Sequence, residues 1–299
     1  MRKRYMLKRE LPLYLMLLLP VSLLLIYSYG PMFGLMMAFQ KFDPVQGFFQ
    51  SKWVGFDNFI KVFSFPDVKQ VIWNTFFIAI MKIIIETVAA VLAAIFLNEI
   101  RSRWFKRTVQ TIIYFPYFLS WVILGGILRD ILARDGIVNL MLQAAGLKPL
   151  LFLGNAQAFP WVLIFTETWQ ITGFGTIVFL ASISSISPTL YEAAAIDGAG
   201  RIRQTWNITL PGMSTTIILM VVLSMGWILN AGFDQILMLY SPLVYSTGDV
   251  IDTWVYRMGL QQAQYSLGAA VGLMRSFVSF ILVVASYYIA YKAADYRVF

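Results

Sequence analysis

The chain has 299 residues, of which 59% are hydrophobic and only 13% are charged. This composition excludes a soluble globular protein of ordinary type and indicates an integral membrane protein. The chain contains no His and no Cys, which excludes imidazole bases, thiol nucleophiles, disulfides and zinc sites built on these residues. The formal net charge of +8 is typical of membrane topology signals and of contact with anionic lipid, so nucleic-acid binding is not predicted.

Six segments are long and apolar enough to cross a bilayer as helices, because the hydrocarbon core requires about 20 such residues. In chain order they are Leu11 to Ala38, Val71 to Leu97, Thr108 to Leu128, Phe159 to Ala181, Met213 to Leu239 and Ala269 to Tyr291. The first segment follows a basic start, but it exceeds the core of a signal peptide and lacks a small-residue cleavage site, so we expect it to be retained. The predicted fold class is an all-α membrane protein with six transmembrane helices.

Lys and Arg are unevenly distributed between the two sets of loops, and this asymmetry predicts the orientation of the chain. The side that holds both termini carries five in residues 1–10, four in residues 99–107, two in residues 182–212 and two, Lys292 and Arg297, in the tail. The opposite loops, residues 40–68, 129–158 and 241–268, carry seven over a longer stretch of chain. Both termini are therefore predicted to be cytoplasmic.

The cytoplasmic loop between the fourth and fifth spans, residues 187–211, carries the signals of two short helices joined by a tight turn. Ser187-Pro188 is typical of a helix start, where the serine hydroxyl can accept backbone amides. Asp197-Gly198 is typical of a helix end, because glycine adopts the left-handed conformation that closes a helix. A second helix is predicted over Arg201 to Ile208. Three alanines from Ala193 give the first helix a slim profile, which suits docking into another protein.

The loop contains Glu192-Ala193-Ala194, Asp197-Gly198-Ala199, Trp206 and Ile208-Thr209-Leu210-Pro211. In spacing and position it resembles the EAA motif of permease subunits of bacterial binding-protein-dependent ABC importers. The resemblance implies a coupling helix held in a groove of a separate ATPase, with Glu192 facing a basic group and Gly198 permitting the bend. The residues assigned to coupling are Tyr191, Glu192, Ala193, Ala194, Asp197, Gly198, Ala199, Leu210 and Pro211. An interfacial helix bound only to lipid headgroups would instead favour a basic face opposite large apolar residues.

The resemblance extends from about residue 60 to residue 299 at the level of maltose-type carbohydrate permeases. Four N-terminal stretches look like the subfamily associated with polysaccharide fragments and uronic-acid-containing oligosaccharides: Leu13 to Pro20, Tyr29 to Gly34, Ala38 to Phe42 and Trp53 to Phe59. The resemblance implies a type I importer permease fold. Residues 1–68 would hold the basic segment, the first span and an external loop, and residues 69–299 the permease core.

The partners implied by the resemblance are a second homologous permease, two P-loop ATPase subunits and an extracytoplasmic solute-binding protein. It also implies an oligosaccharide substrate and a multi-pass position in the lipid of the bacterial cytoplasmic membrane. The chain has no Gly-x-x-x-x-Gly-Lys-Ser/Thr phosphate loop, so ATP and Mg²⁺ are predicted to be used by the partner ATPase. No catalytic residue, metal site or bound cofactor is assigned to this chain, which is predicted not to be an enzyme.

Ionisable residues inside a span are costly, so we expect them to face the protein interior or water. Lys82 and Glu86 lie four residues apart on one helix, and we predict that they neutralise each other. The alternative is a role for this pair in the translocation path. Arg275 is a candidate partner for Glu167 or Asp234, and its role stays open.

Polar and aromatic residues of the fourth and fifth spans are candidates for the substrate path, because sugars combine hydroxyl groups with apolar C–H faces. They are Glu167, Trp169, Gln170, Phe174, Ser224, Trp227, Asn230, Asp234 and Gln235. The alternative is that the aromatic residues are ordinary packing and that the carboxylates pair with Arg275 or with the second permease. An anionic uronate would be poorly served by two carboxylates, so the charge of the substrate stays open.

Two other classes of function compete with the importer permease. A proton-coupled secondary transporter of a small polar solute would use Lys82, Glu86 and Glu167 as a relay. A membrane-embedded enzyme would use Glu167 and Asp234 as paired carboxylates.

Overall fold

The computed structural model describes residues 2–226 and 228–294, with side chains for residues 11–226 and 228–288. Helices dominate these residues, and one short antiparallel hairpin pairs β1 (Gln40–Lys41) with β2 (Lys52–Trp53). The α-helices are α1 (Arg2–Leu24), α2 (Gly47–Gln50), α3 (Asp57–Val62), α4 (Val68–Glu99), α5 (Arg103–Tyr114), α6 (Trp121–Ile131), α7 (Ile137–Ala144), α8 (Phe159–Ser184), α9 (Pro188–Ile196), α10 (Arg201–Gln204), α11 (Leu210–Met225), α12 (Phe233–Leu239), α13 (Tyr245–Gly248), α14 (Ile251–Val255) and α15 (Tyr265–Ala294).

Several spans include a 3₁₀-helical or π-helical stretch next to an α-helix. Within the described residues, five continuous helical stretches are long and apolar enough to cross a membrane: Leu11–Phe39, Val68–Glu99, Phe159–Ser184, Arg201–Met225 and Tyr265–Tyr288. A bent pair of helices supplies a sixth span if it is counted as one. The predicted six-span helical fold is therefore confirmed, although two spans are broken where the sequence indicates continuous helices. Arg297, counted above among the cytoplasmic charges, lies outside the described residues.

The third predicted span, Thr108 to Leu128, is wrong as a single helix. Arg103–Phe118 and Trp121–Ile131 meet at an angle of 107°. Pro116 lies in a 3₁₀ turn at the end of the first helix, and Leu119 is extended, with φ −92° and ψ 135°. The hydroxyl of Ser120 then caps the next helix by accepting a hydrogen bond from the amide of Ile123. An uncharged run therefore contains a bend that its hydropathy does not reveal.

The fifth predicted span, Met213 to Leu239, is also wrong as a single helix. α11 ends at Met225, α12 begins at Phe233, and the described residues between them, 226 and 228–232, are not helical. Gly232 precedes α12 with φ +91° and ψ 56°, a left-handed conformation that residues with a Cβ rarely adopt. The break therefore depends on a glycine and on the polar groups that satisfy its backbone, described below.

The chain divides into two compact units, residues 1–65 with 255–274 and residues 66–254 with 275–299. In the first unit the side-chain amide of Asn58 donates to the carbonyls of Ala38 and Gln40, which joins α3 to the hairpin. In the second unit α4 and α8 pack over most of their lengths. A Cβ on Gly175 would lie 2.8 Å from the Cβ of Ala90, so small residues permit the close approach of these helices.

Candidate functional site

The loop of residues 187–211 forms the two short helices and the turn that its sequence predicts. α9 is followed by Gly198 in a left-handed conformation with φ +74°, then by α10 and a π-helical turn, Thr205–Thr209. The amide of Ala199 donates to the carbonyl of Ala194 at 2.8 Å, which closes α9 as expected for a glycine-terminated helix. One detail is wrong: the hydroxyl of Ser187 contacts the Thr189 hydroxyl at 2.8 Å and caps no backbone amide.

The outer surface of the loop is both apolar and exposed. Ile196 is 86% exposed, Ile202 78% and Trp206 68%. The residues assigned to coupling fall into two groups by exposure. The exposed ones are Glu192, Ala193, Asp197, Gly198 and Pro211. The half-buried ones are Tyr191, Ala194, Ala199 and Leu210. Exposed large apolar side chains of this kind are typical of a contact with another protein or with the membrane.

The inner side of the loop is held by hydrogen bonds. The hydroxyl groups of Tyr191 and Thr209 lie 3.0 Å apart, so α9 is joined to the turn that leads into α11. The side-chain amide of Gln204 donates to the carbonyl of Ala199 at 2.9 Å. Arg201 donates to Glu99, the last residue of α4, at 3.0 Å. These contacts attach the loop to the end of α4 and to the start of α11, so that a force on the loop reaches both helices.

A buried ionic cluster lies in the membrane-embedded part of the chain, and we call Lys82, Glu167, Gln235 and the Ala231 carbonyl the Lys82 cluster. The Lys82 ammonium donates to Gln235 Oε1 at 2.6 Å, to the Ala231 carbonyl at 2.8 Å and to Glu167 Oε2 at 3.2 Å. The residue is only 5% exposed. The predicted pairing of Lys82 with Glu86 is wrong, because the three donors of the ammonium are directed to α8 and to the break before α12.

The other members of the Lys82 cluster are equally constrained. The amide nitrogen of Gln235 donates to the Leu163 carbonyl at 2.8 Å and to the Thr166 hydroxyl at 2.7 Å, and the residue is fully buried. A Cβ on Gly232 would lie 2.6 Å from the Lys82 ammonium nitrogen. The Lys82 cluster therefore holds the non-helical break between α11 and α12 and satisfies its freed carbonyl, as buried backbone groups require.

Arg275 has a different partner from those considered in the sequence. Its guanidinium pairs with Asp252 of α14, so a pairing of Arg275 with Glu167 or Asp234 is wrong for this structure. Burial raises the pKa of Asp252, and the adjacent Arg275 opposes that rise. Arg275 was the cation of the sixth span that the sequence offered for the substrate path. In the structure it is paired with Asp252 of the short helix α14 instead.

Two adjoining cavities lie between α4, α8 and the end of α11. The smaller has a volume of about 240 Å³ and is lined by polar groups from Lys82, Glu86, Glu167, Ser224 and Asn230. The larger, of about 350 Å³, is lined by Glu86, Thr87, Phe174, Ser224 and a series of apolar side chains. Glu86, Ile171 and Ser224 line both. The larger volume falls within the roughly 300–1,000 Å³ of small-molecule sites.

The structure brings together only part of the predicted substrate path. Glu167, Phe174, Ser224 and Asn230 line the two cavities. Trp169 and Asp234 are exposed and do not line them. The side-chain amide of Gln170 donates to the Leu119 carbonyl at 3.0 Å, where the third span is broken. Gln235 is a buried member of the Lys82 cluster, and Trp227 lies outside the described residues.

The sequence supported a contribution of the second span to the substrate path only as the alternative to a pairing of Lys82 with Glu86. Glu86 and Thr87 line the larger one, and Glu86 also lines the smaller one. A signal was present, because an unpaired carboxylate inside an apolar span is costly and therefore a candidate for function. The spacing of four from Lys82 concealed it, since that spacing favours mutual neutralisation.

Together the fold and these sites are those of a multi-pass membrane protein in which two short helices join two of the spans. Residues 86–298 match the family model described as binding-protein-dependent transport system inner membrane component. The chain belongs to this family. The predicted resemblance to carbohydrate ABC importer permeases is thereby confirmed, and family membership favours the importer permease over the secondary transporter and the membrane enzyme.

Relatives and a solved structure agree with this assignment. The chain is 40% identical to Protein LplB of Bacillus subtilis (strain 168) over 287 residues, which covers 96% of this chain and 90% of LplB. It is 37% identical to the polygalacturonan/rhamnogalacturonan transport system permease protein YteP of the same organism, covering 98% and 92%. A chain in the crystal structure of a bacterial alginate ABC transporter with an alginate pentasaccharide-bound periplasmic protein is 36% identical, with a TM-score of 0.88 and 98% coverage of both chains.

Proposed function

We propose that the chain forms one half of the membrane pathway of an ATP-driven oligosaccharide importer in the bacterial cytoplasmic membrane. In this proposal residues 187–211 dock on one of two separate ATPase subunits, which use ATP and Mg²⁺, and a second homologous permease completes the pathway. The chain itself catalyses no reaction. The observation that carries the proposal is the loop, whose exposed Ile196, Ile202 and Trp206 are supported by a hydrogen-bonded inner side.

The names of the relatives support the substrate class. YteP is described as a polygalacturonan/rhamnogalacturonan permease, and the alginate transporter was crystallised with an oligosaccharide-bound periplasmic protein. By analogy, an extracytoplasmic binding protein would deliver an oligosaccharide to this chain. The two cavities between α4, α8 and α11 are the part of the pathway that the ligand would contact.

The geometry suggests how nucleotide binding is transmitted. When the ATPase subunits close, the loop would move with them as a rigid body, because it is closed by its own hydrogen bonds. Tyr191 would transmit the movement to α11 through Thr209, and Arg201 would transmit it to α4 through Glu99. Both helices line the cavities, so the access of the cavities would change with the ATPase state. A ligand shifts such an equilibrium only through contacts that differ between the states.

Cross-linking tests the docking and the orientation of the chain together. The sequence contains no Cys, so a single cysteine at exposed Ala193 can be combined with one in the docking groove of the ATPase. We expect a cross-link in native membranes and no labelling of this site by an impermeant maleimide added outside. The matched control is Ala145→Cys, at an exposed site just after α7 in the opposite set of loops, which should be labelled from outside and should not cross-link.

A charge-removing variant tests the coupling role. Glu192→Ala should abolish ATP-driven uptake while the protein is inserted in normal amount, because the exposed carboxylate would lose its basic partner on the ATPase. Asp135→Ala, which removes an exposed carboxylate from the opposite side, should transport normally. Uptake at the normal rate by the Glu192 variant would contradict the coupling assignment.

A further inference from the structure

Glu86 is a carboxylate inside the second span that the architecture of the fold does not use. It lies on α4 one turn beyond Lys82, it is half-buried, and it lines both cavities. Among the side chains that the structure describes, none forms a hydrogen bond or an ion pair with it. Because an ionisable group at this depth is costly, its position without a hydrogen bond or ion pair to any described side chain points to contact with something that passes through.

Lys82 forms neither a hydrogen bond nor an ion pair with Glu86. Its three ammonium protons are donated to Gln235, the Ala231 carbonyl and Glu167, which uses all the donors that a lysine has. The ion pair of Lys82 with Glu167, with an N–O distance of 3.2 Å, balances one positive with one negative charge. Among the described residues, the charged side chains that line the two cavities are Lys82, Glu86 and Glu167. The negative charge of Glu86 is therefore not balanced by the ion pair of Lys82 with Glu167.

The surroundings of Glu86 suit a sugar ring. Thr87, Ser224 and Asn230 supply hydroxyl and amide groups, while Phe174 and Ile171 supply apolar surface. A carboxylate accepts hydrogen bonds and donates none when ionised. In the ionised state it pairs well with the hydroxyl groups of an uncharged sugar and repels a sugar that carries its own carboxylate.

We propose that Glu86 is a specificity-determining residue of the membrane pathway, where it binds hydroxyl groups of uncharged sugar rings and disfavours uronate rings. This inference rests on the proposed function and extends it by assigning the charge of the preferred ligand at this point of the path. It also separates the chain from relatives whose names refer to acidic polysaccharides, since it predicts selection against the uronate group itself.

The experiment uses the complete importer in proteoliposomes with its binding protein and ATP inside. Two labelled probes of matched shape, galactotriose and trigalacturonate, differ at carbon 6 by a hydroxymethyl group and a carboxylate. We measure the ratio of trigalacturonate to galactotriose uptake in Glu86→Gln relative to wild type, because the preference of the binding protein cancels in this comparison. We expect the ratio to rise at least about threefold, since the amide keeps the hydrogen bonding and removes the like charge.

Glu86→Ala removes both the hydrogen bonding and the negative charge of the side chain. It is expected to lower galactotriose uptake by about tenfold, the typical effect of losing one hydrogen bond to a charged group. The matched control is Val88→Ala, on an exposed part of the same helix, which should leave both rates unchanged. An unchanged ratio in Glu86→Gln, full galactotriose uptake by Glu86→Ala, or a wild type that accumulates only trigalacturonate overturns the proposal. If the wild type shows no ATP-dependent uptake of either probe and no ATPase stimulation by the binding protein, the proposed function itself fails.

Discussion

The loop of residues 187–211 and the Lys82 cluster are stabilised in opposite ways. The closing contacts of the loop join residues a few positions apart, such as Ala194 and Ala199, and leave its large apolar side chains exposed. The Lys82 cluster joins side chains separated by up to 153 positions and buries them. A surface built for a partner can tolerate substitution without loss of the fold, whereas a buried ionic cluster cannot. Substitutions in the loop are therefore expected to change function, and substitutions in the Lys82 cluster are expected to change stability.

The largest effect is expected from Lys82→Met. The substitution keeps much of the side-chain volume but leaves the half-buried Glu167 without its cation and the Ala231 carbonyl without its donor. Removing one partner of a buried ion pair typically costs about 3–5 kcal/mol. We expect a marked fall in the thermal unfolding midpoint of the purified protein in nanodiscs, and poor accumulation in the membrane.

Lys69→Met serves as the control, because Lys69 is exposed on the same helix and should be dispensable. The double variant Lys82→Met with Glu167→Gln should be more stable than Lys82→Met alone, since it no longer buries an unpaired charge. A single variant as stable as the control would show that the Lys82 cluster does not support the fold.

The second-largest effect is expected from Gly232→Ala. An added Cβ would occupy a backbone conformation with φ +91° and would lie 2.6 Å from the Lys82 ammonium nitrogen. Strained backbone of this kind costs on the order of 1–3 kcal/mol, and the displacement of Lys82 adds to it. Gly126→Ala is the matched control, because an added Cβ at that helical position meets no atom within 4 Å. Equal unfolding midpoints for the two variants would contradict the role of Gly232.

The loop, the break at Gly232 and the Lys82 cluster differ in how far they could be predicted from the sequence. The loop was predicted in detail because a proline start, a glycine stop and a run of alanines are local signals. The break at Gly232 was missed because apolar residues predominate on both sides of it and, despite Asp234, indicate one continuous span. The Lys82 pairing was also missed, because helical spacing pointed to Glu86 while the true acceptors are contributed by distant segments.

In the loop, Gly198→Ala is expected to have a smaller effect on stability and a larger one on coupling. No atom lies within 4 Å of an added Cβ, so the whole cost comes from a left-handed backbone with φ +74°. That cost is roughly 1–2 kcal/mol. The backbone of the loop can relax to reduce it, so the rest of the fold is little affected. We expect a normal unfolding midpoint and reduced uptake per ATP hydrolysed.

Gly200→Ala provides the comparison for Gly198, since its added Cβ also meets nothing and its φ is −68°. It should behave as wild type in both measurements. If both variants couple normally, the left-handed turn is not needed for transmission from the ATPase.

The smallest effect on stability is expected for the ion pair between Arg201 and Glu99, whose side chains are 61% and 44% exposed. Such exposed pairs typically contribute about 0–1 kcal/mol and weaken with salt, so neither single substitution should change the unfolding midpoint measurably. Transport is a sharper readout, because the pair joins the loop to α4 and hence to one wall of the cavities. We expect Glu99→Arg to lower the ratio of uptake to ATP hydrolysis, and the exchange variant Glu99→Arg with Arg201→Glu to restore part of it at low salt. No recovery in the exchange variant would mean that α11 alone carries the movement of the loop into the membrane.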